Sequence, residues 1–339
     1  MNIKTIFLRK EVYDNEYRCP IVPSDVTILC NSGFIVFVQS SETRCFTDDK
    51  FEKAGAIITD KSWENFSNCL IIGIKELDNI DKLNSHTHIY FSHSYKNQSG
   101  ANILLTNFKK SNSYLYDLEY FVNEQNKRLI AFGYFAGFIG ASLGILQYLK
   151  KTNGNKLSNL KYWNSSQEIL DNINNYKIPE KINICIIGST GRCGKGAKAL
   201  FDALGINVVE LGTLEPKTNL ESYDIVVNCI CLTKPVGTWY DSTTLFYKHT
   251  VIVDVSCDYT SLNNPIKLYN SRTTWEEPIL SYNNFVDIIA IDNLPSLMPS
   301  ESSAEFSSIL TNLLLQYQTD PNSYWANNLE TFKNKIKDI

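Results

Sequence analysis

The segment INICIIGSTGRCGKGAKAL, Ile182 to Leu200, is an unbroken hydrophobic run that stops at Gly188 and continues as a glycine-punctuated stretch of small residues. A run without polar alternation reads as a strand buried on both faces, Ile182 to Gly188. The stretch from Gly191 to Leu204, closed by Gly205, reads as a helix. Gly188, Gly191 and Gly194 between them follow the spacing G-x-x-G-x-x-G, a departure from the commoner G-x-G-x-x-G fingerprint. Glycines at this point let the chain turn tightly and bring backbone N–H groups and the positive end of a helix to a pyrophosphate. A dinucleotide is the expected ligand. Asn207 to Leu211 is the next strand, and Glu210, 19 residues beyond Gly191, either accepts from an adenosine ribose hydroxyl or is a solvent-facing strand residue.

Asp224 to Ile230, Thr250 to Ser256 and Val286 to Ile291 continue the pattern as further apolar runs, so the second half reads as a doubly wound parallel sheet. Toward the N-terminus, Ile3 to Leu8 reads as a strand. Ser24 and Asp25 supply cap chemistry for a helix running toward Gly33, and Phe34 to Val38 reads as another strand. Leu70 to Ile74 and Thr87 to Phe91 are short buried strands ending at Lys75-Glu76 and Ser92-His93, so two strands deliver ionisable residues at the ends where open parallel sheets bind ligands. Ser302 to Tyr317 reads as an amphipathic helix after Pro295 and Pro299, and a polar tail is expected to end the chain. At 339 residues the length suits two domains.

Composition narrows the function. With 32 Lys plus Arg against 36 Asp plus Glu, the net charge of −4 provides no footprint for nucleic acid or an anionic membrane, and small-molecule partners are expected. Met1 to Glu11, interrupted by Lys4, Arg9 and Lys10, lacks the apolar core of a secretory signal, so a cytoplasmic chain is expected. The nine cysteines never occur as paired CxxC, and neither a disulfide framework nor a metal site is indicated. Leu129 to Leu149 carries no charge and, read alone, is long enough to span a bilayer. Its pairs Gly133/Gly137 and Gly140/Gly144 fit instead a buried helix approached closely by another backbone, and this is the expectation, with no membrane partner.

Seven ordered runs carry a specific resemblance: IIGIKEL around Lys75, FSHSYKNQSG around His93, LYDLEYF around Glu119, KRLIAFGYFAGFIGASLG around Phe132, IIGSTGRCGKGA around Arg192, VDVSCDYTSLNNPI around Asp258 and IDNLPSLMP around Asp292. Together with Arg18 they resemble the NAD-dependent, lysine-forming saccharopine dehydrogenases, relatives of alanine dehydrogenase and transhydrogenase. The resemblance covers nearly the whole chain. It implies oxidation of saccharopine with NAD and water to L-lysine and 2-oxoglutarate, the last step of lysine biosynthesis by the aminoadipate pathway. It places Lys75 and His93 as acid-base residues, and Arg18, Lys75, Gln98, Arg128, Phe132, Ser256 and Asp258 against the substrate. Glu76, Lys96 and Glu119 would tune the acid-base pair. Lys127, Gly191, Arg192, Cys231, Val255 and Ile291, Asp292, Asn293 and Leu294 would contact NAD. Saccharopine has three carboxylates, and the planar arginines suit them.

Two departures from the resemblance stand out. The acidic residue that such relatives carry at the tip of the second sheet strand aligns with Gly212, so either Glu210 or Glu215 has taken over the ribose contact or the choice between NAD and NADP has drifted. Cys231 replaces a tyrosine, and Cys193 and Cys229 are candidates for a redox-sensitive pair. The implied architecture is two Rossmann-like doubly wound α/β domains, residues 1–129 plus 295–339 for substrate and catalysis and 130–294 for the dinucleotide, with the active site in the cleft between them. A monomer is compatible with this. Competing readings are another amino-acid dehydrogenase or reductive aminase of the same fold, and a divergent non-catalytic NAD-binding protein.

Overall fold

β1 (Thr5–Leu8) turns Ile6, Phe7 and Leu8 into the interior with no polar break, as a strand covered on both faces must. A computed structural model describes residues 3–96, 100–213, 215–230, 235–317 and 323–339. The chain divides into two compact units, Met1–Ala131 with Pro299–Ile339, and Phe132–Met298.

In the first unit β1 is followed by α1 (Pro23–Asn31), β2 (Ile35–Gln39), α2 (Asp48–Lys53), β3 (Ile57–Thr59), β4 (Leu70–Ile72), β5 (Thr87–Tyr90), α3 (Ala101–Lys110) and β6 (Tyr114–Asp117). The six strands lie in the order β3-β2-β1-β4-β5-β6, all parallel. Ile6 therefore sits between Val36 and Leu70, and the strand order reverses between β1 and β4. Ligands of open α/β sheets bind beyond the carboxyl ends of the strands at such a reversal.

The second unit opens with α4 (Gly133–Thr152) and α5 (Ser166–Asn174), then builds its sheet from β7 (Ile184–Ile187), β8 (Val209–Leu211), β9 (Ile225–Asn228), β10 (Thr250–Asp254), β11 (Leu280–Ser281) and β12 (Val286–Ile289), with α6 (Arg192–Ala203) after β7. The order is β11-β12-β10-β9-β7-β8, parallel except for the short edge strand β11. Its reversal falls between β7 and β9. The chain then returns to the first unit as α7 (Pro299–Leu315) and α8 (Tyr324–Ile336).

Among the described residues no helix is long and apolar enough to cross a membrane. The glycines of α4 serve close packing. A Cβ on Gly137 would stand 1.8 Å from the carbonyl oxygen of Cys193 in α6, and one on Gly196 of α6 would stand 1.9 Å from that of Tyr134 in α4. One turn further along, Gly140 and Gly144 lie under Val255 and Val253, each 2.8 Å from the position a Cβ would take.

Two expectations are corrected. Ser24 and Asp25 do not cap α1: Val22 is the N-cap without a side-chain bond, and Pro23 opens the helix with its preset φ. The Asp25 carboxylate instead accepts from the Ser307 hydroxyl of α7, and Val22 N–H donates to the same hydroxyl at 2.9 Å. The polar C-terminal stretch is no tail but α8, which buries Trp325, Asn328 and Phe332. Asn328 Nδ2 donates to the Asp117 carbonyl at 2.8 Å, and the Phe332 ring meets Phe108 edge-on.

Asp287 of β12 joins several elements of the second unit. Its buried carboxylate accepts from Gln147 of α4 at 2.7 Å, from Ser281 of β11 at 2.6 Å and from His249 at 3.0 Å, with Lys151 3.6 Å away. Burial pulls its pKa up, but the bonds from His249, Ser281 and Gln147 and the Lys151 charge outweigh this and hold it below the ordinary 3.8. The folded state therefore binds this proton less readily than the unfolded one. The stability it confers is complete above the ordinary carboxylate value and is lost as pH falls through the depressed value. Asp287→Asn is expected to cost about 2 kcal/mol at pH 7. Thermal unfolding at pH 7 and in acid checks this: the wild type should lose more of its Tm on acidification than the variant.

Candidate active site

At the strand-order reversal of the first unit, Arg9, Lys10 and Glu11 follow β1 and Gly73, Ile74, Lys75 and Glu76 follow β4. The two segments are tied to each other. The buried Glu11 carboxylate accepts the N–H of Ile74 at 2.7 Å and of Lys75 at 2.9 Å, while Arg9 donates to the Lys75 carbonyl and stands 3.4 Å from Glu11. Arg9 also lies over the Tyr90 ring, 5.6 Å from its centroid. Gly73 leaves room for it: a Cβ there would fall 2.2 Å from the guanidinium carbon, so any side chain at 73 would have to displace Arg9. Burial raises the Glu11 pKa despite the opposing Arg9 charge and the two N–H bonds. Lys75 thus has its backbone gripped on both sides and its side chain half-buried, and Glu76 beside it is exposed. Sequence reasoning missed Arg9 and Glu11. A signal was available, since a charged trio directly after the first strand of such a sheet falls at the ligand-binding end.

His93 follows β5 in the left-handed region at φ 50, uncommon for a residue with a side chain and a form of local strain found at functional sites. Its neighbour Ser92 donates to the buried Asp117 carboxylate at 2.6 Å and lies 2.7 Å from the Ser94 hydroxyl, which fixes the turn. The half-exposed His93 ring stacks on Phe91 and its Nδ1 lies 3.9 Å from Glu119. Glu119 also pairs with two cations, Lys96 at 2.7 Å and Arg128 at 3.0 Å. Burial would raise the Glu119 pKa, but the Lys96 bond and the charges of Arg128, Lys96 and His93 bring it below its ordinary value. The Lys96 pKa is raised: burial works against its charge and the Glu119 bond more than compensates. Asp117 N-caps the turn carrying Glu119, accepting its N–H at 2.9 Å, and burial pushes the Asp117 pKa up. A turn with Asn126 left-handed reverses the chain so that Arg128 bridges back to Val122. Lys127 is exposed in the same turn.

Arg18 is buried, and its fork is taken up by Glu16 at 2.7 and 2.5 Å. The pair lines a cavity with Arg9, Glu11 and Arg44, so the Lys75 clamp and the Arg18 pair share one lining. Gln98 and Cys231 lie outside the described residues.

In the second unit the glycine loop occupies the reversal between β7 and β9. Gly188 is left-handed at φ 84 and its carbonyl accepts the Gly191 N–H at 3.1 Å. Gly191 is the N-cap of α6, whose first turn carries no acidic residue. A Cβ on Gly194 would fall 2.3 Å from the Gly188 oxygen, and one on Gly191 3.3 Å from it. The cradle therefore exists only because the side chains are absent. An open loop backbone at the positive end of a helix fits a pyrophosphate. The stem of Arg192 lies over Gly133. Burial pushes the Cys229 pKa well up, and the neighbouring Cys193 thiol adds to the shift.

The remaining second-unit residues sit at the ends of β10 and β12. Val255 packs toward Gly140. Ser256 Oγ donates to the buried Asp254 at 2.6 Å, which also accepts from Asn228 at 2.9 Å and Tyr269 at 2.5 Å. Asp258 follows the left-handed Cys257, and its carbonyl accepts from Ser261 N–H at 2.9 Å. Ile291 and Leu294 are buried, Asp292 lies 3.8 Å from Arg272, and Asn293 accepts from the Trp275 indole at 3.1 Å. Phe132 is buried. Among the described residues no group of His, Cys, Asp and Glu could hold a metal ion.

Two mostly parallel six-stranded sheets, one carrying a glycine cradle, define a two-unit protein of the Rossmann-like dinucleotide-binding class. The same fold is found in an L-alanine dehydrogenase, with a TM-score of 0.74 at 14% identity over 98% of this chain and 99% of that one. It is found also in a transhydrogenase from Sinorhizobium meliloti, with a TM-score of 0.71 at 14% identity over 96% and 97%. A family model for the alanine dehydrogenase/PNT N-terminal domain matches residues 7–139. The saccharopine dehydrogenase (NAD(+), L-lysine-forming) of Schizosaccharomyces pombe is 32% identical over 98% of this chain and 99% of its own length. That of Candida glabrata is 34% identical over 92% and 91%. The chain belongs to the family of NAD-dependent, L-lysine-forming saccharopine dehydrogenases.

Proposed function

We propose that the chain oxidises L-saccharopine with NAD and water to L-lysine, 2-oxoglutarate and NADH. The observation that carries the reading is the placing of an amine and an imidazole after neighbouring strands of one sheet: Lys75 with its backbone clamped by Arg9 and Glu11, and His93 beside the Glu119, Lys96 and Arg128 cluster. Bound NAD would accept the hydride from the glutaryl Cα. The resulting imine must take up water and the carbinolamine must collapse, so one group removes the proton of the secondary amine and another moves protons through hydrolysis. Lys75 and His93 are assigned this acid-base work, with Glu76, Lys96 and Glu119 setting the field around them. Arg18, Arg128, Gln98, Phe132, Ser256 and Asp258 are assigned to the substrate, with the carboxylates met by the arginines. Gly191 and Arg192 of the cradle, with Lys127, Val255, Cys231 and Ile291, Asp292, Asn293 and Leu294, are assigned to the cofactor. The first unit is read as the substrate and catalytic domain and the second as the dinucleotide domain. The reaction needs only small molecules, and the reading extends to a cytoplasmic chain acting as a monomer.

The test is oxidation of NADH by the purified chain with 2-oxoglutarate and L-lysine. A lysine-dependent rate is expected, and its absence would sink the reading. A higher rate with ornithine in place of lysine, or with pyruvate and ammonia, would assign the chain to another amino-acid dehydrogenase.

A further inference from the structure

We propose that Glu215 is the carboxylate that reads the adenosine ribose, in place of the residue at the tip of β8, and that it makes the chain select NAD over NADP. The inference rests on the cofactor reading above. In sheets of this kind an acidic residue at the end of the strand beside the phosphate-loop strand accepts from the ribose hydroxyl. That strand is β8, paired in parallel with β7 as far as Ile187 and Leu211, and the next residue is Gly212, which has no side chain to offer.

The missing carboxylate is supplied from outside the strand. Glu215 folds back so that its Oε2 accepts the Gly212 N–H at 2.8 Å, and its Oε1 lies 3.4 Å from the position a Gly212 Cβ would take. A carboxylate therefore stands beside the strand tip, within a bond's reach of where the side chain of a tip acid would begin. A carboxylate has about four acceptor sites, so one bond to Gly212 leaves capacity for a ribose hydroxyl.

Glu210 competes less well for this role. It lies two residues before the strand tip, and its Oε1 is held by Lys198 of α6 at 2.9 Å. Lys217, the cation nearest the tip in sequence and a conceivable partner for a 2′-phosphate, is turned into the loop: its Nζ donates to the carbonyls of Gly212 at 2.6 Å, of Thr213 at 3.4 Å and of Glu215. A 2′-phosphate against Glu215 would meet like charge, which disfavours NADP by repulsion rather than by lost contacts.

Titration with NADH and with NADPH, read by quenching of tryptophan fluorescence, measures affinity without turnover. The unmodified chain is expected to bind NADH more tightly than NADPH. Glu215→Gln should weaken NADH binding by about tenfold or more, the loss of a hydrogen bond to a charged group, and narrow the gap between the two cofactors. Glu210→Gln should change NADH affinity by less than about threefold, since an exposed ion pair contributes little. Gly212→Asp placed in the Glu215→Ala background should recover NADH binding. Glu215 is exposed, so its replacement leaves folding intact. Unchanged NADH affinity in Glu215→Gln, or a larger loss in Glu210→Gln, overturns the inference and leaves the cofactor reading standing. Failure of the unmodified chain to bind either nucleotide overturns the cofactor reading itself.

Discussion

Lys75→Met and His93→Ala are each expected to lower turnover by about two to four decades, the range that positioned general acid-base groups contribute. Met keeps most of the lysine stem and removes the titrating amine. The contacts that shape the loop run to the Lys75 backbone, from Glu11 and Arg9, so they survive the substitution. His93 is 47% exposed in its side chain, stacks on Phe91 and approaches Glu119 no closer than 3.9 Å, so its removal should cost little stability. The expected signature is therefore a fall in kcat with the Tm and the NADH affinity unchanged. Steady-state rates with lysine and 2-oxoglutarate, beside thermal unfolding and NADH titration, provide all three. Wild-type rates in both variants would reject the acid-base assignment while leaving the family membership untouched.

Why these two side chains could be named from the sequence, and their supports could not, follows from how each is held. Lys75 and His93 stand directly after short apolar runs, and the end of a buried parallel strand is where a ligand binds, so their positions were legible once the runs were read as strands, while their acid-base roles rest on the family resemblance. Their supports come from elsewhere in the chain. Glu11 acts on Lys75 across a separation of more than sixty residues, and Glu119 draws Lys96, Arg128 and His93 together from three segments. Only the strand order β1-β4-β5-β6 makes these neighbours, and strand order is not written in any local period. Arg18 shows a second limit. Its match to a substrate arginine reveals nothing of Glu16, whose carboxylate occupies the fork. On the assignment proposed for Arg18, a substrate carboxylate would have to compete with that pair or share it.

The long apolar runs of the second half gave reliable strands because they are buried on both faces and need no alternation. The elements that escaped notice have weaker patterns. β3 and β6 are the two edge strands of their sheet and are less completely covered: β3 is exposed or half-buried along its length and β6 begins at the exposed Tyr114, so neither forms an unbroken apolar run. α8 anchors itself with Trp325 and Phe332 set among Asn, Glu and Lys, so a composition rich in polar residues masked a spacing that puts both aromatics on one face. Pro23 shows the reverse case, a strong signal given too little weight beside Ser24 and Asp25.

Gly137→Ala is expected to destabilise the second unit by about 3 kcal/mol and to weaken NADH binding, although alanine is about 1 kcal/mol better than glycine in an exposed helix. The sign is decided by what the methyl would meet. A Cβ at Gly137 would lie 1.8 Å from the carbonyl oxygen of Cys193, 2.7 Å from its carbon and 3.1 Å from the Ala197 nitrogen. All three atoms are backbone, so no rotamer change relieves the clash and the two helices must separate. Gly196 makes the reciprocal approach to the Tyr134 carbonyl, so the separation cannot be taken up by tilting about that point. The helix that has to move is α6, which is capped by Gly191 and begins at Arg192, and a displaced α6 pulls its N-terminal N–H groups out of the cradle. Gly133→Ala is the matched control on the same helix, because its methyl would meet the Arg192 stem at 3.5 Å, an ordinary contact distance. That variant should unfold within about 0.5 kcal/mol of wild type. Chemical denaturation and NADH titration of the pair separate the cases: equal stability of Gly137→Ala and Gly133→Ala would mean that α4 and α6 do not meet backbone to backbone, whereas a selective loss in Gly137→Ala makes the glycines that resemble a membrane motif the support of the phosphate loop.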